Sequence, residues 1–190
     1  MSVYDENSFL QGIALGRAMK GVDFVGSNGQ FWTGENLLTE SQKNLSNWTR
    51  VRFQSFQNTY TDGENYLQVT PDDWYDKLYI PVTIHPYTLY VFTGLYRSVT
   101  GSSTENYETN FRGERNAILT GQPGQSQLSS YGIIDMSQAL YSEASETFRR
   151  YSAFAYADIE MTVYLVIDFG KYLDYQPTTV IWKDLCFAQM

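Results

Sequence analysis

The sequence has very few residues suited to covalent or metal chemistry: one cysteine, Cys186, and one histidine, His85, among 190 residues. A single cysteine excludes an intrachain disulfide and a cysteine-based metal cluster, and in an apolar terminal strand we expect it to be a small buried hydrophobe. A Ser-His-Asp or Cys-His arrangement would have to use His85, which precedes a proline at a predicted strand junction. We therefore predict that the chain is not an enzyme.

A pair of catalytic carboxylates leaves little local signature in a sequence. Glu160 and Asp168 have the same parity in one predicted strand, so they are the natural candidates. At about 3.3 Å per residue they stand about 27 Å apart, which is too far for joint action. We interpret both as solvated strand residues.

Basic residues are also scarce: 13 Lys and Arg stand against 21 Asp and Glu, giving a net charge of -8 and a pI near 4.6. Binding to a phosphate backbone needs clustered cations, so nucleic acid is an unfavourable partner. No apolar run approaches the roughly 18 residues of a membrane span, and the start of the chain lacks the basic region and apolar core of a signal peptide. We expect a chain made in a cytoplasm, with neither nucleic acid nor membrane as partner.

Aromatic residues are abundant, at 16% of the chain, and many lie in segments of alternating polarity. Leu78 to Phe92 forms two such segments that meet at His85-Pro86, and Ile159 to Ile167 forms another. Period-two alternation rich in β-branched and aromatic residues predicts strands, so we expect an all-β sandwich in which these two blocks pair. Further strands are predicted at residues 51–56, 116–119, 149–156 and 180–187, and residues 133–141 are predicted as a strand or a turn.

Residues 5–20 predict a short amino-terminal helix, followed by a glycine-rich linker that ends at residue 34. Gly12 and Gly16 lie on one face of this helix, where a second backbone could approach closely. Two interpretations stay open: a docking or oligomerisation helix, or a helix that packs on its own sandwich. The predicted division is therefore residues 1–34 for helix and linker and residues 35–190 for the sandwich.

Several short motifs carry a resemblance. They are Asn36-Leu37-Leu38, Ser41, Trp48, the central PYTLYVFTG of residues 86–94 and the closing VIWKDLCFAQ of residues 180–189. Together they resemble the carbohydrate-binding-module-like jelly rolls of phage structural proteins and of glycosidase accessory modules, over about residues 35–190. The amino-terminal SFLQGIALGRAMKG is similar to the start of phage virion proteins.

This resemblance implies a jelly-roll virion subunit of a fibre, a baseplate or a head decoration, located in the virion, that displays a surface for host carbohydrate. The implied partners are other virion proteins, contacted through the amino-terminal helix, and further copies in a trimer. The resemblance also allows a structural calcium ion near Asp184, with Glu35 as a second ligand; we expect no other cofactor. Two alternatives remain: a carbohydrate-binding module associated with a glycoside hydrolase, and a structural decoration without a ligand.

A carbohydrate site needs flat aromatic rings that stack on sugars and polar groups that bond to their hydroxyls. Two polar segments of the sequence concentrate such groups, so we predict ligand contacts there. The candidates are Trp74, Tyr75 and Asp76 in the first segment and Tyr96, Arg97, Asn106, Tyr107 and Arg112 in the second. A separate set of strand aromatics, Tyr90, Phe92, Tyr164 and Trp182, is predicted to share one sheet face, which more often forms a core or a subunit interface than an open platform.

Overall fold

The computed structural model describes residues 35–52, 55–61, 63–70, 77–98, 115–124, 133–136, 148–168 and 178–189. The predicted helix and linker at residues 1–34 lie outside these ranges. Among the described residues, no helix has the length and apolar character needed to cross a membrane.

The described part of the chain is almost entirely β-structure, as the alternation of the sequence predicts. Its helical segments are the single turn α1 (Glu40–Lys43) and the 3-10 turn η1 (Leu45–Asn47). Its strands are β1 (Thr49–Val51), β2 (Ser55–Thr61), β3 (Glu64–Thr70), β4 (Lys77–Ile84), β5 (Tyr90–Ser98), β6 (Arg115–Leu119), β7 (Ile133–Met136), β8 (Arg149–Ala155), β9 (Met161–Asp168) and β10 (Thr178–Gln189).

The strands form two five-stranded sheets in which every pair is antiparallel. The first sheet has the order β1-β4-β9-β6-β7, and the second sheet has the order β2-β3-β10-β5-β8. Only β2-β3 and β6-β7 pair consecutive strands among those described, so most of the sandwich depends on long-range pairing. The predicted β-sandwich is confirmed.

The core lies between the two sheets and is built from one parity of each strand. From the first sheet it receives Leu78, Ile80 and Ile84 of β4 and Val163, Leu165 and Ile167 of β9, and from the second sheet Leu67, Tyr90, Phe92, Trp182 and Phe187. The rings of Tyr90 and Phe187 stack with centroids 5.2 Å apart. Stacked aromatic rings of this kind add to the free energy that burial itself provides.

The predicted pairing of the two central blocks is half correct. β4 pairs with β9, with Ile80 opposite Leu165, but the chain crosses to the other sheet at residues 85–89, and β5 pairs with β8 and β10. The predicted common face of aromatic residues is therefore wrong. Tyr90, Phe92 and Trp182 point into the core from the second sheet, whereas Tyr164 packs on the outer side of the first sheet.

A β-bulge in β10 keeps both halves of this long strand directed into the core. Trp182 and Phe187 are both buried there, although residues five apart in a regular strand point to opposite faces. The register against β5 shifts between Lys183 and Cys186, and Asp184 has a φ of 52°. One extra residue at this point restores the inward direction of Phe187.

Residues 51–56 were predicted as one strand, and the structure corrects this. β1 ends at Val51, Arg52 has a φ of 64°, and β2 starts at Ser55 in the other sheet. A residue with positive φ ends regular strand geometry. The chain therefore changes sheets where the alternation of the sequence continues without a visible break.

Asn36 joins the start of the described sandwich to its end. Its Nδ2 donates to the Leu185 carbonyl at 2.8 Å, and its Oδ1 accepts from the Phe187 N–H at 3.1 Å. The Leu37 N–H also donates to the Phe187 carbonyl at 2.7 Å. These bonds satisfy backbone groups beside the bulge and hold the first described residues against β10.

Candidate functional site

The centre of the outer face of the first sheet is covered. Tyr79 is 6% exposed, and Ala117, Leu119 and Val166 are 0% exposed although they point away from the core between the sheets. The segment after β6 contributes to the cover, because Gln122 Nε2 donates to the Tyr79 hydroxyl at 2.7 Å and Lys77 Nζ donates to the Gly124 carbonyl at 3.3 Å. A ligand therefore has no access to the centre of this face.

The outer face of the second sheet carries exposed side chains on its β2 and β3 half. We call this surface the open face and define it by outward residues of four strands: Gln57, Thr59 and Thr61 of β2, Glu64, Tyr66 and Gln68 of β3, Lys183 of β10 and Arg97 of β5. Tyr66 is 43% exposed and lies between Thr59 and Ile181 in the register. The strands thus present one accessible aromatic ring among polar neighbours.

A shallow groove of about 550 Å³ lies beside the Tyr66 ring. It is lined by Thr59, Thr61, Glu64 and Tyr66, which come from two neighbouring strands. Thr61 and Glu64 are directly opposite in the ladder, and so are Thr59 and Tyr66. Residues opposite each other in an antiparallel pair lie on the same face, so the groove follows from the register of β2 against β3.

Charged side chains border the groove on the side of β10. Lys183 Nζ is 3.4 Å from Glu64 Oε1 and 4.2 Å from the centroid of the Phe148 ring. The Arg97 guanidinium carbon is 5.0 Å from the same centroid. Both cations contact one ring, an arrangement that stabilises charge near an aromatic face and fixes where the charged groups stand relative to Tyr66.

The side chains of the open face are of the types that can stack on a sugar ring and hydrogen-bond to its hydroxyl groups. A flat ring can stack on the apolar face of a pyranose, and threonine hydroxyls, a carboxylate and an ammonium can bond to its hydroxyl groups. Within the described ranges, no group of three or more His, Cys, Asp or Glu residues is placed to hold a metal ion. Glu35 and Asp184, the residues considered for calcium, are both exposed.

Tyr96 and Arg97 were predicted together as ligand contacts in a polar loop, and the structure separates them. Both lie in β5 rather than in a loop. Tyr96 points into the core, is 1% exposed, and has its ring centroid 4.7 Å from that of Trp182. Arg97 points outward and belongs to the open face. The loop placement was wrong because the strand continues four residues beyond Gly94.

The other predicted contacts, Trp74, Tyr75, Asp76, Asn106, Tyr107 and Arg112, lie outside the described residues, and their roles stay predictions. His85 and Glu160, weighed above for catalysis, form an exposed pair with Nδ1 and Oε2 2.9 Å apart. Asp168 is 5% exposed at the end of β9, opposite Lys77. The interpretation of Asp168 as a solvated residue was therefore wrong.

Tyr66 is the aromatic residue of the open face that the sequence analysis missed. Its strand, β3, was not predicted, although Asn65-Tyr66-Leu67-Gln68-Val69 alternates with Leu67 and Val69 on one side. That pattern, followed strictly, would have placed Tyr66 on the outer side of a strand.

No protein-family model and no curated protein matches the sequence. Solved structures do match. A carbohydrate-binding module, CBM4, has a TM-score of 0.50 and 12% identity over 82% of this chain and 95% of that chain. The CBM22-1 xylan-binding domain of Xyn10C from Paenibacillus barcinonensis has a TM-score of 0.51 and 12% identity with the same coverage.

The chain has the jelly-roll fold of these modules. A third match, the arabinose-bound α-L-arabinofuranosidase MgGH51, has a TM-score of 0.50 and 11% identity over 88% of this chain. This chain covers only 28% of that enzyme. At such identities the likeness establishes the jelly-roll sandwich and nothing finer.

Proposed function

We propose that the chain is a non-catalytic carbohydrate-binding module that holds a polysaccharide on its open face, with Tyr66 as the stacking ring. The observation that carries the proposal is the exposure of Tyr66 beside a polar groove on a sheet face. The fold supports it, because one matching structure is described as a xylan-binding domain. This proposal favours the alternative of a carbohydrate module over the virion subunit that the resemblance implied first.

The rigidity of the sheet favours binding at this position. Tyr66 is held by ladder partners on both sides, Thr59 of β2 and Ile181 of β10. Ile181 is 6% exposed, so Tyr66 has a buried cross-strand neighbour on the β10 side. A side chain fixed on a central part of a sheet loses little conformational entropy when a ligand stacks on it.

The charged border of the groove supplies directional bonds. Lys183 and Glu64 are partly exposed and 3.4 Å apart, a distance at which an exposed pair holds its two partners only weakly. A sugar hydroxyl can accept from the ammonium and donate to the carboxylate at the same time. We therefore assign stacking to Tyr66 and hydroxyl recognition to Glu64 and Lys183.

The test is the binding of the full chain to a panel of soluble polysaccharides that includes xylan, measured by isothermal titration calorimetry. We expect Tyr66→Ala to weaken binding at least tenfold, about 1.4 kcal/mol or more, and Tyr66→Phe to retain most of the affinity because the ring remains. Tyr87→Ala is the matched control, since Tyr87 is 72% exposed but lies between β4 and β5 at the end of the sandwich. Unchanged binding by Tyr66→Ala, or no binding by the wild type to the whole panel, would refute the proposal.

The finer predictions rest on the resemblance of the sequence alone. These are the position in a virion, a host-surface glycan as the ligand, a trimer, and contact with other virion proteins through residues 1–34. They stay predictions. Binding of the intact protein to host cells would support a role in attachment, and polysaccharide binding without cell binding would favour an enzyme-associated module.

A further inference from the structure

Among the described strands, four lie at sheet edges, and β2 differs from the other three. β1 has three residues and β7 has four, so each offers little backbone for pairing. β8 has seven residues but includes Arg149 and Arg150. Natural sheets protect their edges by such short strands, charges or prolines.

β2 also has seven residues, yet it contains no charged residue, no proline and no glycine. Within the part of the chain that the structure describes, it ends the order of the second sheet and pairs with β3 alone. Its outward residues Gln57, Thr59 and Thr61 are exposed. A long edge of this kind is a template for another strand.

The sequence of β2 indicates which strand fits. Ser55-Phe56-Gln57-Asn58-Thr59-Tyr60-Thr61 reads nearly the same in both directions by residue class: hydroxyl, aromatic, polar, amide, polar, aromatic, hydroxyl. An antiparallel pair formed around a two-fold axis at Asn58 places each residue opposite a residue of its own class. Such self-complementarity is what a symmetric interface between identical chains requires.

We propose that the edge of β2 pairs with β2 of a second copy of this chain, in antiparallel register centred on Asn58. The pairing places Phe56 of each copy opposite Tyr60 of the other, on the core side, and Gln57 opposite Thr59 on the open face. Cross-strand aromatic pairs stabilise antiparallel ladders. The strand is also free of charge, so two chains of net charge -8 meet at an edge that adds no like-charge repulsion.

The strand is held in place before it pairs. The Tyr60 hydroxyl donates to Glu40 Oε2 at 3.3 Å, and Asn58 Nδ2 donates to Asn44 Oδ1 at 3.1 Å. Both partners belong to the α1 segment or its cap and approach from the core side of the sheet. Because these bonds order β2 in the single chain, less conformational entropy is lost when a second copy docks.

The dimer has a consequence for the groove. Thr59 and Thr61 line the groove beside Tyr66. They lie on β2, next to the proposed two-fold axis. The second copy would bring its own Gln57 opposite Thr59, in one continuous sheet, so each copy adds a polar residue to the border of the other's groove. This consequence rests on the proposed function, whereas the pairing itself does not.

Light scattering of the full chain tests the pairing. We expect a mass twice 21.9 kDa and a dimer dissociation constant that Gln57→Lys raises at least tenfold, because the two-fold axis repeats the new charge at the edge. Gln68→Lys is the matched control: Gln68 is exposed on the same face and directly opposite Gln57 in the ladder, but on the interior strand β3, so the dimer should persist.

A crosslink gives a second readout that does not depend on weakening the dimer. In a Cys186→Ser background, Gln57→Cys combined with Thr59→Cys should form an intermolecular disulfide, because the register places position 57 of one copy opposite position 59 of the other. Gln68→Cys should not. The proposal would be overturned if the wild type had a mass of 21.9 kDa at the highest soluble concentration. It would also be overturned if an oligomer formed that Gln57→Lys left intact and that the paired cysteines did not crosslink. Loss of the dimer without loss of polysaccharide binding would leave the proposed function standing.

Discussion

At the scale of single residues, Asn65 shows how a buried amide holds the sandwich together. It is 0% exposed; its Oδ1 accepts from the Leu45 N–H at 2.7 Å, and its Nδ2 donates to the Lys43 carbonyl at 2.7 Å. Asn65 points inward and its neighbour Tyr66 points outward, because successive side chains of a strand point to opposite faces. One strand thus positions the segment that carries α1 and η1 on one side and the proposed stacking ring on the other.

We expect Asn65→Ala to lower the free energy of unfolding by about 3 kcal/mol, since it leaves the Leu45 N–H and the Lys43 carbonyl without their partner, at about 1–3 kcal/mol each. Asn47→Ala removes an exposed amide that bonds to the Ser41 carbonyl at 2.8 Å and should cost less than about 1 kcal/mol. Urea denaturation measures both. Equal losses would show that burial of the Asn65 amide is not the cause.

Alternation predicted single residues well only where the strand itself was recognised. Ile80, Val163 and Leu165 were assigned to one inward parity, and the structure confirms it. The polar residues that follow Tyr96 and Arg97 predict a loop, and a loop gives no alternation from which their opposite directions could follow. Tyr66 becomes predictable only once the turn at Gly63 divides this part of the sequence into two strands, β2 and β3.

At the scale of strands, the sequence specifies which face is apolar but not which strand is the neighbour. β6, β8, β9 and β10 all occur where alternation predicts them. The assignment of β5 to the second sheet depends on the turn at residues 85–89, where Tyr87 has a φ of 58° and its N–H donates to the Ala157 carbonyl at 2.8 Å. No periodicity of side chains carries that information.

The contact between α1 and β2 gives a prediction on pH. Burial of the Tyr60 hydroxyl, with the Glu40 carboxylate beside it, raises the pKa of Tyr60 above its ordinary value of 10.0. A group whose pKa is raised on folding adds stability that is complete below the unfolded pKa and is lost as pH rises through the folded pKa. As pH rises past 10.0, the wild type should therefore lose more free energy of unfolding than Tyr60→Phe.

Chemical denaturation at a series of alkaline pH values measures this difference. The other tyrosines titrate in both proteins, so the comparison isolates Tyr60. Parallel curves for the two proteins would show that the hydroxyl of Tyr60 is equally free to ionise in the folded and unfolded chains. Glu40 behaves in the opposite sense: its hydrogen bond to Lys43 and the charge of that residue lower the pKa of Glu40.

At the scale of the whole molecule, the outer faces of the two sheets differ in what they expose. The first sheet is covered at the centre of its outer face, whereas the second exposes Tyr66 and its groove. The jelly roll was predicted from the sequence, although its structural matches share only 12% identity with it. Many different combinations of apolar side chains can fill the same core, so proteins with low sequence identity can share this fold.

Ligand binding to the folded sandwich should raise its thermal stability. A polysaccharide that binds only the native state at a concentration of about 100 times the dissociation constant adds about 2.7 kcal/mol to the free energy of unfolding. Differential scanning calorimetry of the wild type should show the melting temperature rising with polysaccharide concentration. Tyr66→Ala, which we expect to bind at least tenfold more weakly, should gain at most about 1.4 kcal/mol under the same conditions and show a correspondingly smaller rise; an equal rise would place the ligand elsewhere.

The bonds between Asn36 and β10 have a consequence for how this sandwich can be joined to other proteins. Leu37 and Phe187 are hydrogen-bonded neighbours, so the two ends of the described domain leave it about one strand spacing apart, about 5 Å. A domain with adjacent ends can be inserted into a surface loop of a host protein without separating the strands that flank the loop. Residues 35–189 could therefore be inserted into such a loop, with both connections to the host protein made at one place.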